Sequence, residues 1–254
     1  MKKTTTILTM AALVGGLFTC QSAVAATSLG LGVGMAPDYE GSSDYGAVPM
    51  LYGRYGYGDG KYFLLSGTEL RWNLLSEKIQ FGPLVNYRME RDSVDNDQVD
   101  NMKKVDGAFE AGAFLTGKFG PWALNIDFAA DVSGKYDGYL VTLGGAYQAK
   151  ISEELRMTFN VYTTYADGNY MEEYFQVDAS NRGTSTLPDY NSDSGEFKDV
   201  GLKVVTVYDL NSSWSIMGNL GYKKLVGDAS DSPLVDDEGD DNQLFVGLMG
   251  VYHF

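Results

Sequence analysis

The chain closes on Asn242-Gln243-Leu244-Phe245-Val246-Gly247-Leu248-Met249-Gly250-Val251-Tyr252-His253-Phe254. Leu244, Val246, Leu248, Gly250, Tyr252 and Phe254 share one face, because successive side chains of a strand point to opposite sides. The stretch ends on an aromatic residue, with a second aromatic two positions earlier on the same face. Chain ends of soluble domains usually fray into polar solvent. The closing strand of an outer-membrane barrel ends in an aromatic girdle instead. The other reading of this stretch alone is the edge strand of a soluble sandwich.

The same alternation recurs along the chain. Leu29, Leu31, Val33 and Met35 alternate with Gly30, Gly32 and Gly34. Trp122, Leu124, Ile126, Phe128 and Val132 oppose Asn125, Asp127 and Asp131. Further strand-like segments fall at 47–57, 62–74, 79–90, 109–119, 139–149, 155–165, 200–210 and 214–222. Their connections alternate in length. Long ones at 92–106, 133–137, 167–195 and 227–241 are interleaved with tight turns at 75–78, 120–121, 152–154 and 211–213. Short periplasmic turns and longer external loops are the signature of an outer-membrane barrel. Trp72, Trp122 and Trp214 each stand beside a tight turn on an apolar face, where an interfacial ring belongs. With Tyr252 and Phe254 they form the expected membrane-interface set.

These features predict an all-β fold: a closed antiparallel transmembrane β-barrel. Eleven segments are counted, whereas bacterial single-chain barrels use an even number. A break of segment 62–74 near Gly67 gives twelve strands, the favoured count. Ten strands follow if the first segment is not part of the wall.

Lys2 and Lys3, an apolar run over 7–18 and Ala23-Val24-Ala25 read as a cleaved secretory leader over residues 1–25. The barrel is expected to occupy 26–254. Cys20 is the chain's 1 cysteine and lies in the leader, so disulfides and thiolate metal sites are not expected in the mature chain. Without Lys2 and Lys3, the 19 basic residues fall to 17 against 34 acidic ones, a net charge of −17. That opposes nucleic-acid binding, which needs a positive surface.

Catalysis by a nucleophile, base and orienter has little to draw on, because the chain holds 1 histidine, His253. His253 is read as structural, at the periplasmic end, and no enzyme activity and no cofactor are expected. The inward polar faces mix both signs: Glu69, Arg71 and Asn73; Arg88 and Glu90; Glu110 and Lys118; Asp127 and Asp131; Arg156 and Asn160; Asp199, Lys203 and Asp209. Small barrels are usually filled by side chains, so a lumen closed by paired charges is favoured over a narrow water-filled channel. The acidic run Asp228, Asp231, Asp236, Asp237, Glu238, Asp240 and Asp241 is read as a solvated external loop. Divalent-cation bridging by its carboxylates is the alternative.

Two stretches carry a resemblance. Pro37-Asp38-Tyr39-Glu40-Gly41-Ser42-Ser43-Asp44-Tyr45, after a glycine-alternating strand, resembles the start of the MipA/OmpV family. Leu225-Val226-Gly227-Asp228-Ala229-Ser230-Asp231-Ser232-Pro233-Leu234-Val235 resembles its last loop. Pro37, Tyr39, Gly41, Ser42, Gly227, Asp228, Ser232 and Pro233 are the motif positions. Lys224, where an arginine is expected, and Tyr136, where the family often has histidine, depart from the pattern. The resemblance implies a protein of the Gram-negative cell outer membrane, set among lipid and lipopolysaccharide and placed there by the barrel insertion machinery. It further implies a scaffold linked to a murein hydrolase and a murein synthase. Adhesin and small-solute channel are the other roles it implies.

Overall fold

The computed structural model describes residues 27–254, and the expected leader, 1–25, lies outside them. Twelve strands form one closed antiparallel barrel in which each strand pairs with its neighbours in sequence. They are β1 (Thr27–Pro37), β2 (Tyr45–Gly56), β3 (Tyr62–Ser66), β4 (Glu69–Asn73), β5 (Ile79–Arg88), β6 (Ala108–Phe119), β7 (Trp122–Asp131), β8 (Tyr139–Lys150), β9 (Leu155–Ala166), β10 (Glu196–Asp209), β11 (Trp214–Leu225) and β12 (Asn242–His253). The barrel closes by pairing β1 with β12, from Ser28 opposite His253 to Met35 opposite Val246. Closure leaves no free end strand, which is what makes a sheet tenable in lipid.

The alternation read in the sequence is the wall itself. Leu31 is 71% exposed and Leu248 59%, while Met249 between them in the seam is buried. An exposed apolar belt of this kind would be a liability on a soluble protein and is the lipid face of a barrel. Gly32 shows why glycines line the inside of β1. A Cβ there would stand 2.2 Å from the Leu248 carbonyl oxygen, so any side chain would force the seam apart. No helix among the described residues is long and apolar enough to cross a membrane.

The expected break in segment 62–74 falls at Gly67, whose φ of 60° suits a tight turn. It yields β3 and β4 and the count of twelve. Glu90, expected on an inward face, lies past the end of β5 and is exposed, because the strand gives way to the loop two residues earlier. The long connections are also more structured than expected. They carry α1 (Asp97–Asp100), α2 (Gly168–Phe175), α3 (Asp228–Asp231) and α4 (Pro233–Asp236).

Candidate functional site: the plugged lumen

At mid-height the lumen is crossed by a charge cluster. Glu69 and Arg71 are two apart on β4 and so share its inward face. The Arg71 guanidinium donates to both Glu69 oxygens and reaches Asp127 of β7, with Nη2 2.8 Å from Oδ2. Phe114 lies under it at 5.1 Å. Arg71 and Asp127 are 4% and 5% exposed. Buried charges are tenable only with geometry this complete, and the planar five-donor guanidinium can bridge two carboxylates at once.

Nearer the external mouth a second cluster joins wall and loops. Glu110 accepts from Arg88 at 2.5 Å, from Asn86 at 2.8 Å and from the Tyr136 hydroxyl at 2.7 Å. The Arg88 guanidinium also donates to the Tyr170 hydroxyl at 3.1 Å, and that hydroxyl donates to Glu40 at 2.7 Å. Glu40 belongs to the first loop, 38–44. Its Oε1 is 2.5 Å from both Lys198 Nζ and Lys223 Nζ. Burial alone would raise the Glu40 pKa, but Lys198, Lys223 and Arg88 outweigh it and hold the carboxyl well below its ordinary range. Burial pushes the Tyr170 hydroxyl far the other way, so it remains a donor.

Above these charges the loops fold inward as an apolar plug. In α2 the buried residues are Tyr170, Met171, Tyr174 and Phe175, the i, i+1, i+4, i+5 stripe of an amphipathic helix. Asp167 caps it by accepting from the Tyr170 amide. Tyr170 and Tyr174 stack at 4.4 Å, and Tyr136 meets both edge-on at 5.4 and 5.7 Å. Tyr39, Val99, Met102, Leu187, Leu234 and Val235 complete the packing from four other segments.

The eight motif positions converge on this plug. Pro37 ends β1. Tyr39 is buried in the cluster, which pushes its hydroxyl up to about 12. Gly41 has φ 98°, and a Cβ there would meet Val235 Cγ2 at 2.5 Å. The approach of Gly41 to Val235 and Leu225 brings the two motif stretches together, and Ser42 adds a β-bridge to Gly239, just past the second stretch. Gly227, with φ 59°, precedes α3, and the Asp228 carbonyl accepts from the Tyr190 hydroxyl at 3.0 Å. Ser232 donates to the Phe175 carbonyl at 2.6 Å, and its oxygen caps the Leu234 amide ahead of Pro233. The acidic run is thus half of a structured loop. Asp231, Asp236 and Asp237 are exposed while Pro233, Leu234 and Val235 turn inward.

Within the lumen these elements leave a cavity of about 60 Å³ lined by groups from both charge clusters, including Glu40, Glu69, Arg88, Glu110, Asp127 and Lys198. At the opposite, short-turn end the barrel carries exposed aromatic pairs. Trp122 meets Tyr147 at 4.7 Å, Trp72 meets Phe63 at 5.1 Å, and Tyr252 meets Trp214 at 5.0 Å and Phe254 at 4.8 Å. His253 points inward there. Its Nδ1 is 2.9 Å from Ser28 Oγ and its Nε2 2.6 Å from Ser215 Oγ. Both serines are buried, so both ring nitrogens are engaged in holding the seam.

Sequence reasoning missed α2 and the joining of Glu40 to Lys198 and Lys223. The Asp167 cap and the spacing 170, 171, 174, 175 were the available signals for α2. The ion pairs span 158 and 183 residues and leave no local trace.

Comparison with known proteins adds to this geometry. No curated protein matches the chain. Among solved structures it is similar to the COG4313 outer membrane channel from Pseudomonas putida F1, at 11% identity and TM-score 0.46, with 92% of this chain and 97% of that one covered. It is also similar to the outer membrane channel DcaP of Acinetobacter baumannii, at 13% identity and TM-score 0.34, over 90% and 96%. The CymD monoaromatic hydrocarbon channel shares 11% identity at TM-score 0.38, over 90% and 88%. The family model described as MltA-interacting protein MipA matches residues 29–254. The chain therefore belongs to the MipA family and is an outer-membrane β-barrel protein.

Proposed function

We propose that this protein is a sealed, non-catalytic outer-membrane barrel that works as an interaction protein, anchoring a periplasmic murein hydrolase and, with it, a murein synthase. The observation that carries this reading is the seal. Inward side chains at mid-lumen, among them Arg71, Phe114, Asp127 and Met217, are each at most 5% exposed, and the loop plug lies above them. A barrel filled this way offers surfaces rather than a path. The family's description as MltA-interacting supports a murein hydrolase as the partner class. The periplasmic face offers the short turns 57–61, 74–78, 120–121, 151–154 and 210–213, with the Arg156–Asp209 pair at its inner rim.

The rival reading, a small-solute channel, is favoured by the internal cavity. At about 60 Å³ it has room for about four waters, far short of the roughly 300–1,000 Å³ of a ligand pocket. Photo-crosslinkers placed at Glu153 and Ser212 on the periplasmic turns, and at Asp237 outside, test the proposal in intact envelopes. Crosslinks to a murein hydrolase from the first two positions alone are expected. Its absence from all three positions would overturn the reading.

A further inference from the structure

One rung of the wall gathers sulfur at the closure seam. Gly32 of β1 stands opposite Met249 of β12 on one side and Met50 of β2 on the other. Met249 in turn stands opposite Met217 of β11. Met50, Gly32, Met249 and Met217 therefore lie in one row across four adjacent strands. All four are on the inward side, since Leu51, Leu31, Leu248 and Ile216, beside them in sequence, are exposed on the outer one.

The register decides how these side chains meet. Met217 and Met249 are directly opposed, which sets their Cβ atoms about 4.5–5.5 Å apart, and both are buried. Met50 and Met249 flank Gly32, which has no side chain to keep them apart. Met50 uses that gap. Its Sδ passes over β1 and lies against Gly247 of β12, where an added Cβ would collide with it. Gly247 is next to Met249 on the inward face of β12, so the three thioethers end on one patch of the lumen. Met217 and Met249 share a buried cluster with Tyr52, Tyr62 and Val251, and Met50 packs against it. Asn219 borders the patch, opposite Gly247. It is 5% exposed and its Nδ2 has no hydrogen-bond partner, a costly state for a buried amide.

Methionine often fills gaps in a core, but filling requires neither three sulfurs on one rung nor a glycine that lets them converge. Soft-metal ligation does, and thioethers select Cu(I). Thioethers are neutral and bring no charge to offset a divalent ion, so a singly charged ion is the one that can be buried among them. The rotatable bonds of methionine let each sulfur turn to a common centre. We infer that Met50, Met217 and Met249 form a binding site for one Cu(I) ion, which ties β2, β12 and β11 together across the β1–β12 closure. A half-turn of the Asn219 carboxamide brings its oxygen to the side that now carries the unpaired Nδ2 and gives the ion a polar neighbour. Because the rung is buried in the lumen, the ion is taken up as the barrel closes. The site does not depend on the murein-anchor reading and opens no path along the axis.

The test uses the full mature protein refolded into detergent micelles with one equivalent of Ag(I), a redox-inert ion of the same charge and similar softness. The buffer is free of chloride and held at about pH 5, where an imidazole such as that of His253 is mostly protonated and cannot ligate. After gel filtration, native mass spectrometry counts the bound silver, and X-ray absorption at the silver edge identifies the donor atoms. One silver per chain in a shell of sulfur is expected. Methionine-to-leucine exchanges conserve volume and are well tolerated in cores, so Met50→Leu, Met217→Leu and Met249→Leu remove ligands and keep the packing. Each should weaken silver binding about ten-fold or more, since even partners outside a ligand set are worth about 10–100-fold, and the triple variant should retain none. Met35→Leu, on the lipid face, should change nothing. Cu(I), supplied with ascorbate during refolding, should compete with silver one for one. No silver after gel filtration, a shell of nitrogen or oxygen, silver retained by the triple variant, silver lost in Met35→Leu, or no competition by Cu(I) would each overturn the inference. The absorption measurement on the wild-type chain decides the matter even where a variant fails to fold.

Discussion

Glu40→Ala tests the plug at its densest joint. The carboxylate is shared by Lys198 and Lys223 at 2.5 Å each and accepts from Tyr170 at 2.7 Å. Removing one partner of a buried ion pair costs about 3–5 kcal/mol, because the remaining charge is left uncompensated. Two features place this case at the low end. Lys198 keeps Asp199 at 2.9 Å, and Lys223, 17% exposed, can turn toward water. The expected loss is about 3 kcal/mol in the stability of the plug relative to its opened form, or roughly a hundred-fold in its opening equilibrium. Hydrogen exchange of the α2 amides reads such local opening directly. The Met171 and Gln176 amides, which bond to the Asp167 and Glu172 carbonyls, should exchange about a hundred-fold faster in Glu40→Ala. The belt strands should be unchanged. Glu40→Gln keeps an acceptor and should lose less. Because the folded-state pKa of Glu40 is depressed, its contribution is fully present above the unfolded carboxyl value of about 4.3. It is lost as pH falls below that value and through the folded one. If Glu40→Ala changes α2 exchange less than about five-fold, under 1 kcal/mol, Glu40 does not hold the plug.

Three further outcomes follow from the same structure. Ile126, 43% exposed on the outer face, should tolerate Ile126→Ala with less loss than the roughly 2–5 kcal/mol of a packed core, while Ile126→Arg should cost about 2–4 kcal/mol near the midplane; unfolding in lipid vesicles measures both, and equal losses would remove Ile126 from the lipid face. Gly41→Ala must adopt φ 98° and clash with Val235, so it should loosen the contact between the first and last loops, seen as faster exchange of the Asp240 amide that bonds to the Gly41 carbonyl; unchanged exchange would show that the loops hold together by other means. An epitope inserted at exposed Asp237 should be reached by antibody on intact cells and one at exposed Ser212 should not; the reverse pattern would invert the barrel.

The wall was legible in the sequence because its rule is local. Period-two alternation at Leu29, Leu31, Val33 and Met35 needs no knowledge of the partner strand. Gly67 was legible as a break because a turn there turned eleven segments into an even count, twelve, with ten left as the alternative. The plug was not legible. Tyr170 and Tyr174 read as part of a polar loop, since the apolar face of α2 is only two turns long and is diluted by Asn169, Glu172 and Glu173. The inward positions of Arg71, Glu110 and Asp127 could be assigned, but their pairing could not, because each bond depends on how far neighbouring strands are staggered. The shortness of β3 and β4 was hidden for a related reason. Segment 62–74 has the length of one good transmembrane strand, and only its folding back on itself leaves the outer half of the wall short.

In the proposed function the barrel is sealed along its axis. Single-channel recording of the purified protein in a planar bilayer, across neutral pH and moderate salt, tests it most directly. A sealed lumen, closed by the Glu69–Arg71–Asp127 cluster and the α2 plug, should give a current indistinguishable from that of the bare bilayer. Stable, reproducible conductance steps from the wild-type barrel would contradict it.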